Sequence, residues 1–209
     1  MIPRTLHLFC LLFLVVPAWP VSDKNSTLYT NGWFYLPGIS RALDECLVIE
    51  VEGGEVVIQF FEDVAPNHVA RIKELAKAGE YDQVVFHRVV DGFMAQTGDI
   101  QYGKSGQTND QLIGSGGSSL ADLNSEFSAK VHLRGVCSMA RSSSPHSANS
   151  QFFICLADST FLDGQYTIWG QVIEGMSLVD QIKKGSTLDN GSVSQPDVMK
   201  KVYVRQLPK

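Results

Sequence analysis

The strongest constraint on this fold is a series of short β-rich runs separated by turn residues. Leu47-Val48-Ile49-Glu50-Val51-Glu52 and Glu55-Val56-Val57-Ile58-Gln59-Phe60 flank Gly53-Gly54. A two-glycine junction between β-branched runs predicts a hairpin, because glycine takes the positive φ of a tight turn at no steric cost. Similar runs follow at 84–90, 93–96, 136–140, 151–156, 167–172 and 201–206. So many short strands predict a closed barrel or a sandwich.

Two segments change period. From Pro66, residues Val69, Ile72, Leu75 and Ala76 fall on one helical face, with Pro66 suited to the first turn and Gly79 to the stop. A second helix is expected at about 176–184, with Met176, Val179 and Ile182 on one face and Gly185 at its end. Residues 101–119 carry Gly103, Gly106, Gly114, Gly116 and Gly117 among polar side chains and read as a surface loop.

At 209 residues with 44% hydrophobic side chains, the chain suffices for one domain with a substantial core. Its 17 basic and 22 acidic residues contain no Lys/Arg cluster, which argues against a nucleic-acid partner. The apolar run from Leu6 to Val16, preceded by Arg4 and followed by Pro17-Ala18, predicts a signal peptide over 1–18. It is about half of the roughly 20 residues a membrane span needs, so no stable membrane insertion is expected after cleavage. Residues 19–44 show no sustained period and read as a tail or linker before a domain at 45–209.

Cys10, Cys46, Cys137 and Cys155 lie far apart, and the last three read as small buried hydrophobes rather than a disulfide framework. No metal site is expected, because His68, His87, His132 and His146 show no ligand spacing. The glycine-rich stretch at 114–119 lacks the Lys-Ser/Thr ending of a phosphate loop. Ser142, Ser143 and Ser144 near His146 lack a G-x-S-x-G elbow, which disfavours a hydrolase. Asn25-Ser26-Thr27 and Asn190-Gly191-Ser192 match the glycosylation acceptor pattern, which is short enough to arise by chance.

The informative segment is Phe86-His87-Arg88-Val89-Val90-Asp91-Gly92-Phe93-Met94-Ala95-Gln96-Thr97-Gly98-Asp99, in which a cation sits among apolar groups. Taken alone it fits equally well an edge strand whose arginine reaches water. Gly135-Val136-Cys137-Ser138-Met139-Ala140-Arg141, Asn149-Ser150-Gln151-Phe152-Phe153-Ile154 and Phe161-Leu162-Asp163-Gly164 follow in order. With these segments the chain, from about residue 45 to 207, resembles the cyclophilins, the peptidyl-prolyl cis/trans isomerases.

The resemblance implies a mainly β fold: an eight-stranded antiparallel closed β-barrel capped by two α-helices. It implies isomerisation of X-Pro bonds with no cofactor, acting as a monomer on proline-containing segments of client proteins. Arg88 matches the catalytic arginine, with Phe93 and Gln96 completing the catalytic set. Phe93, Met94, Phe153 and Leu162 match the proline pocket, and Gly114, Ala140, Arg141, Gln151, Phe161 and Tyr166 the rest of the groove. For Gln151, a purely structural hydrogen bond is nearly as good a reading as direct contact. Arg141 replaces a common Asn that is thought to act through its backbone. Phe161 and Tyr166 stand where well-known eukaryotic members carry Trp and His, which resembles bacterial members and argues against tight cyclosporin binding. The expected setting is therefore the folding of exported proteins in a periplasm, with secretion or a eukaryotic secretory pathway as the alternative. A proline-binding chaperone or surface module of the same fold is the competing function.

Overall fold

The computed structural model describes residues 45–107 and 111–207. Cys10 and the expected signal peptide and tail lie outside the described residues. The first hairpin forms as its sequence predicts, with strands β1 (Glu45–Val51) and β2 (Gly54–Phe60). The turn sits one residue earlier than the glycine pair suggested. Val51 pairs with Gly54, so the two-residue loop is Glu52-Gly53, and Gly53 takes φ +89°. Leu47 opposite Ile58 and Ile49 opposite Val56 point into the main core. Val48 opposite Val57 points the other way, under Tyr203 and Leu207.

Helix α1 (Pro66–Lys77) follows, with proline in its first turn and His68, Val69, Ile72, Leu75 and Ala76 buried. Its start has no local side-chain cap. The Glu126 carboxylate does that job from a distant loop, accepting from the backbone N–H of Asn67 at 3.1 Å and of His68 at 3.0 Å.

The remaining strands are β3 (Val84–Val85), β4 (Arg88–Val90), β5 (Met94–Thr97), β6 (Val136–Met139), β7 (Phe152–Cys155), β8 (Ile168–Glu174), β9 (Val198–Met199) and β10 (Lys201–Gln206). Eight form one antiparallel sheet in the order β10-β1-β2-β8-β6-β7-β5-β4, while β3 and β9 pair separately. The expected closed barrel is therefore corrected to a half-barrel, since β4 and β10 are edges that do not pair. The physical reason lies on β4. Its outward backbone groups bond to residues 185–193 instead: Val89 N–H to the Gly191 carbonyl at 2.8 Å, Gly185 N–H to the Val89 carbonyl at 2.9 Å, and Val193 N–H to the His87 carbonyl at 3.1 Å. The hydrogen bonds that closure would need are already taken.

Helix α2 (Met176–Gln181) is shorter than its apolar pattern suggested. Ile182 leaves the helical region at ψ 131° and is buried, and Lys183 N–H is held by the Asp197 carboxylate at 2.7 Å. The chain must turn there to reach β4.

The sheet is apolar on both faces where it matters. Phe152 and Ile154 of β7 enter the main core, where Phe152 meets Trp169 edge-on at 5.3 Å and Tyr81 at 5.7 Å. Their neighbours Phe153 and Cys155 join a second cluster with Met94, Val136, Leu162 and Ile168 on the opposite face. That second cluster carries the site.

Candidate active site

Strand register assembles the site. Arg88 on β4 lies opposite Gln96 on β5, and Gln96 lies opposite Phe153 on β7, so one row across three strands presents a cation, an amide and an aromatic ring. Met94, two residues before Gln96, shares that face. Phe93 enters from the turn before β5, and Phe161 and Leu162 from a single 3-10 turn at Thr160–Leu162.

These residues, with Ala140, Arg141 and Tyr166, line a cavity of about 310 Å³. Met94, Phe153 and Leu162 are buried in it, while Phe161 is 65% exposed at its rim and packs on Phe93 at 5.3 Å. Gly114 and Gln151 do not reach this cavity. They line a second one of about 490 Å³, which shares Gln96, Ala140 and Arg141 with the first. All the residues singled out from sequence thus gather in two adjoining cavities.

The polar groups form one chain. Arg88 Nη1 donates to Gln96 Oε1 at 3.2 Å, and Gln96 Nε2 donates to Gln151 Oε1 at 2.9 Å. Gln151 Nε2 donates to the carbonyls of Gly114 at 2.9 Å and Gly116 at 2.8 Å. Gln151 therefore ties the active row to the glycine-rich loop. The other side of Arg88 is held by Asn190, whose carbonyl accepts from Nε at 2.9 Å and whose Oδ1 accepts from Nη2 at 2.9 Å. Among the described residues these partners are all neutral, so the positive charge is oriented without being cancelled. Burial pulls the Arg88 pKa down from its usual value, but a guanidinium keeps its proton in proteins.

Arg141 keeps its side chain away from Arg88. It donates to the Gln165 carbonyl at 3.0 Å and the Ser142 carbonyl at 2.9 Å, with its guanidinium 4.5 Å from the Tyr166 ring centre. Tyr166 meets Phe153 edge-on at 5.8 Å.

Three contributors escaped the sequence reading. Asp99, fully buried, orders the glycine-rich loop by accepting from the backbone N–H groups of Gln101, Tyr102, Gly114 and Gly116. His87 is buried against Gly114, and burial lowers its pKa to about 4 despite the nearby Asp99. Asn190 stands in the sequence within a glycosylation pattern, and its Asn-Gly pair is the available signal for a left-handed turn. His132 stacks beneath Phe153 at 6.4 Å, between Asp163 at 2.8 Å and Ser138 at 3.2 Å. That order resembles a nucleophile relay, but Ser138 is fully buried and donates to the Thr167 carbonyl at 2.8 Å. It has no access to a substrate.

The family model for cyclophilin type peptidyl-prolyl cis-trans isomerase/CLD matches residues 46–204. The chain belongs to the cyclophilin-type peptidyl-prolyl isomerases. It is 47% identical over 162 residues to a probable peptidyl-prolyl cis-trans isomerase of Brucella abortus, covering 77% of this chain and 83% of that protein. Peptidyl-prolyl cis-trans isomerase B of Escherichia coli is 34% identical over 146 residues, covering 66% and 84%. Among solved structures, a cyclophilin from Hirschia baltica superposes with a TM-score of 0.64 at 26% identity, covering 77% of this chain and 74% of that one. A Cryptosporidium parvum cyclophilin type isomerase, crystallised in the presence of the dipeptide Ala-Pro, superposes with a TM-score of 0.66 at 23% identity, covering 78% and 99%. This cyclophilin is thus an isomerase by its family, and its fold is that of the solved cyclophilins.

Proposed function

We propose that this isomerase turns X-Pro bonds in exported proteins, with Arg88 stabilising the twisted transition state. The supporting observation is a guanidinium held by neutral acceptors at the edge of an apolar cavity. Rotation about a peptide bond requires loss of C–N resonance, a barrier of about 18–20 kcal/mol. As the bond twists, the proline nitrogen regains a lone pair that a fixed donor binds more tightly than the planar ground state. Nη1 also donates to the Met94 sulfur at 3.7 Å, a weak acceptor, so Arg88 has one N–H on Nη2 still to offer and one on Nη1 held only weakly. Lowering the barrier by about 5 kcal/mol gives several thousand-fold acceleration, with no covalent step.

In this reading Phe93, Met94, Phe153 and Leu162 hold the proline ring while the preceding carbonyl turns. Gln96 and the second cavity guide the peptide backbone. The export part rests on the signal-like pattern at 1–18.

The test is the cis-to-trans rate of a short X-Pro peptide with wild type and Arg88→Ala at equal folded concentration. Loss of about 100- to 1,000-fold in kcat/KM is expected for the variant. Retained activity would remove Arg88 from the reaction. Export is checked by N-terminal sequencing of the mature protein, which should begin at Trp19. A chain that retains Met1 and stays inside the cell overturns it.

A further inference from the structure

Residues 185–193 form a compact turn that is fastened to the free edge of β4 by the three backbone bonds described above. It closes on itself through Gly191 N–H to the Ser186 carbonyl at 2.8 Å. Asn190 stands at its tip with φ +48°, in the left-handed region. Its backbone carbonyl and its side-chain Oδ1 together grip one edge of the Arg88 guanidinium, while Gln96 holds Nη1 from the other side. Bonds on all three nitrogens fix the plane of the group, so rotation about Nε–Cζ must break at least one of them.

We propose that Asn190 is the residue that positions Arg88 for catalysis. The proposal rests on Arg88 being the catalytic arginine. Residue type supports it. The position requires tolerance of positive φ, a short side chain with an acceptor oxygen, and no charge. Glycine lacks the acceptor, aspartate would neutralise the cation that the transition state needs, and β-branched side chains are strained at this φ. Asparagine meets all three requirements, and its side chain is otherwise exposed to solvent.

Asn190→Gly is the informative variant, because glycine keeps the left-handed turn and the backbone carbonyl while removing Oδ1 alone. The expected result is a fall in kcat of about tenfold with KM changed less than about twofold, since an oriented donor acts in the transition state more than in binding. Faster rotation of the Arg88 guanidinium about Nε–Cζ, read by NMR, should accompany it. In an Arg88→Ala background the same substitution should cost nothing further. Unchanged kcat and rotation in Asn190→Gly, with Arg88→Ala still inactive, would overturn the positioning role alone. An equal fractional loss in both backgrounds would also overturn it, by showing general damage. An active Arg88→Ala would overturn the reading beneath it.

Discussion

Three of the five N–H groups of Arg88 already bond to Asn190 and Gln96, which a planar fork allows and a lysine ammonium on a flexible stem does not. Arg88→Lys should therefore lose kcat/KM to within about tenfold of Arg88→Ala, although the charge is kept. The X-Pro peptide assay decides this, and a lysine variant with more than half the wild-type rate would show that charge alone suffices. The cysteines allow a second residue-level statement. Burial raises the pKa of Cys46, of Cys137 still further, and of Cys155 to about 12, and none is in a disulfide. In the native protein all three should resist a thiol reagent at pH 8 and react only on unfolding, whereas stoichiometric labelling of the folded domain would contradict their burial. Arg88 could be picked out from sequence because its motif neighbours are contiguous. Asn190 could not, because it reaches Arg88 from 102 residues away.

The strands that build the site depend on close backbone approaches. Gly98, which follows β5, has φ +86°, and a Cβ there would stand 2.6 Å from the Ser150 carbonyl oxygen and 3.0 Å from the Gln151 Cα. Both neighbours are backbone, so neither can turn aside. Gly98→Ala should destabilise the fold by about 2–4 kcal/mol and lower kcat/KM, because the shift is passed to Gln96 and Gln151. A urea midpoint within error of wild type would refute this. The hairpin, α1 and the strand positions were legible because glycine, proline and apolar period leave local marks. The division of labour along Phe152-Phe153-Ile154-Cys155 was not, since a strand apolar on both faces shows no alternation even though its neighbours enter different clusters. The true end of α2 was hidden for a similar reason: Ile182 fits the helical face by spacing, and the Asp197 carboxylate that holds the next residue is a tertiary partner.

The closed barrel expected from family resemblance becomes a half-barrel because a loop without strand pattern bonds along β4, and backbone pairing of that kind leaves no mark in side-chain sequence. The same packing encloses titratable groups, His68 and His87 among them, and this makes stability depend on pH. Burial lowers the pKa of His87 to about 4, and of His68 as well, although Glu126 at 2.6 Å from His68 pulls the other way. A histidine whose folded value lies below its unfolded value near 6.5 takes up protons first in the unfolded chain. Its contribution is intact above pH 6.5 and is lost as pH falls toward 4. Between pH 7 and pH 5, His87 alone should remove about 2 kcal/mol of stability, with His68 adding in the same direction. The carboxylates lowered by their partners, such as Glu126 beside His68 and Asp163 beside His132, contribute with the same sign but mainly below pH 4.5. Urea unfolding at pH 7 and pH 5 therefore isolates the histidines. In His87→Leu, which removes the titrating ring and keeps an apolar side chain in its place, the difference between the two pH values should shrink by about 2 kcal/mol. An undiminished difference would mean that His87 is protonated in the folded protein at pH 5 and that its cavity is open to water.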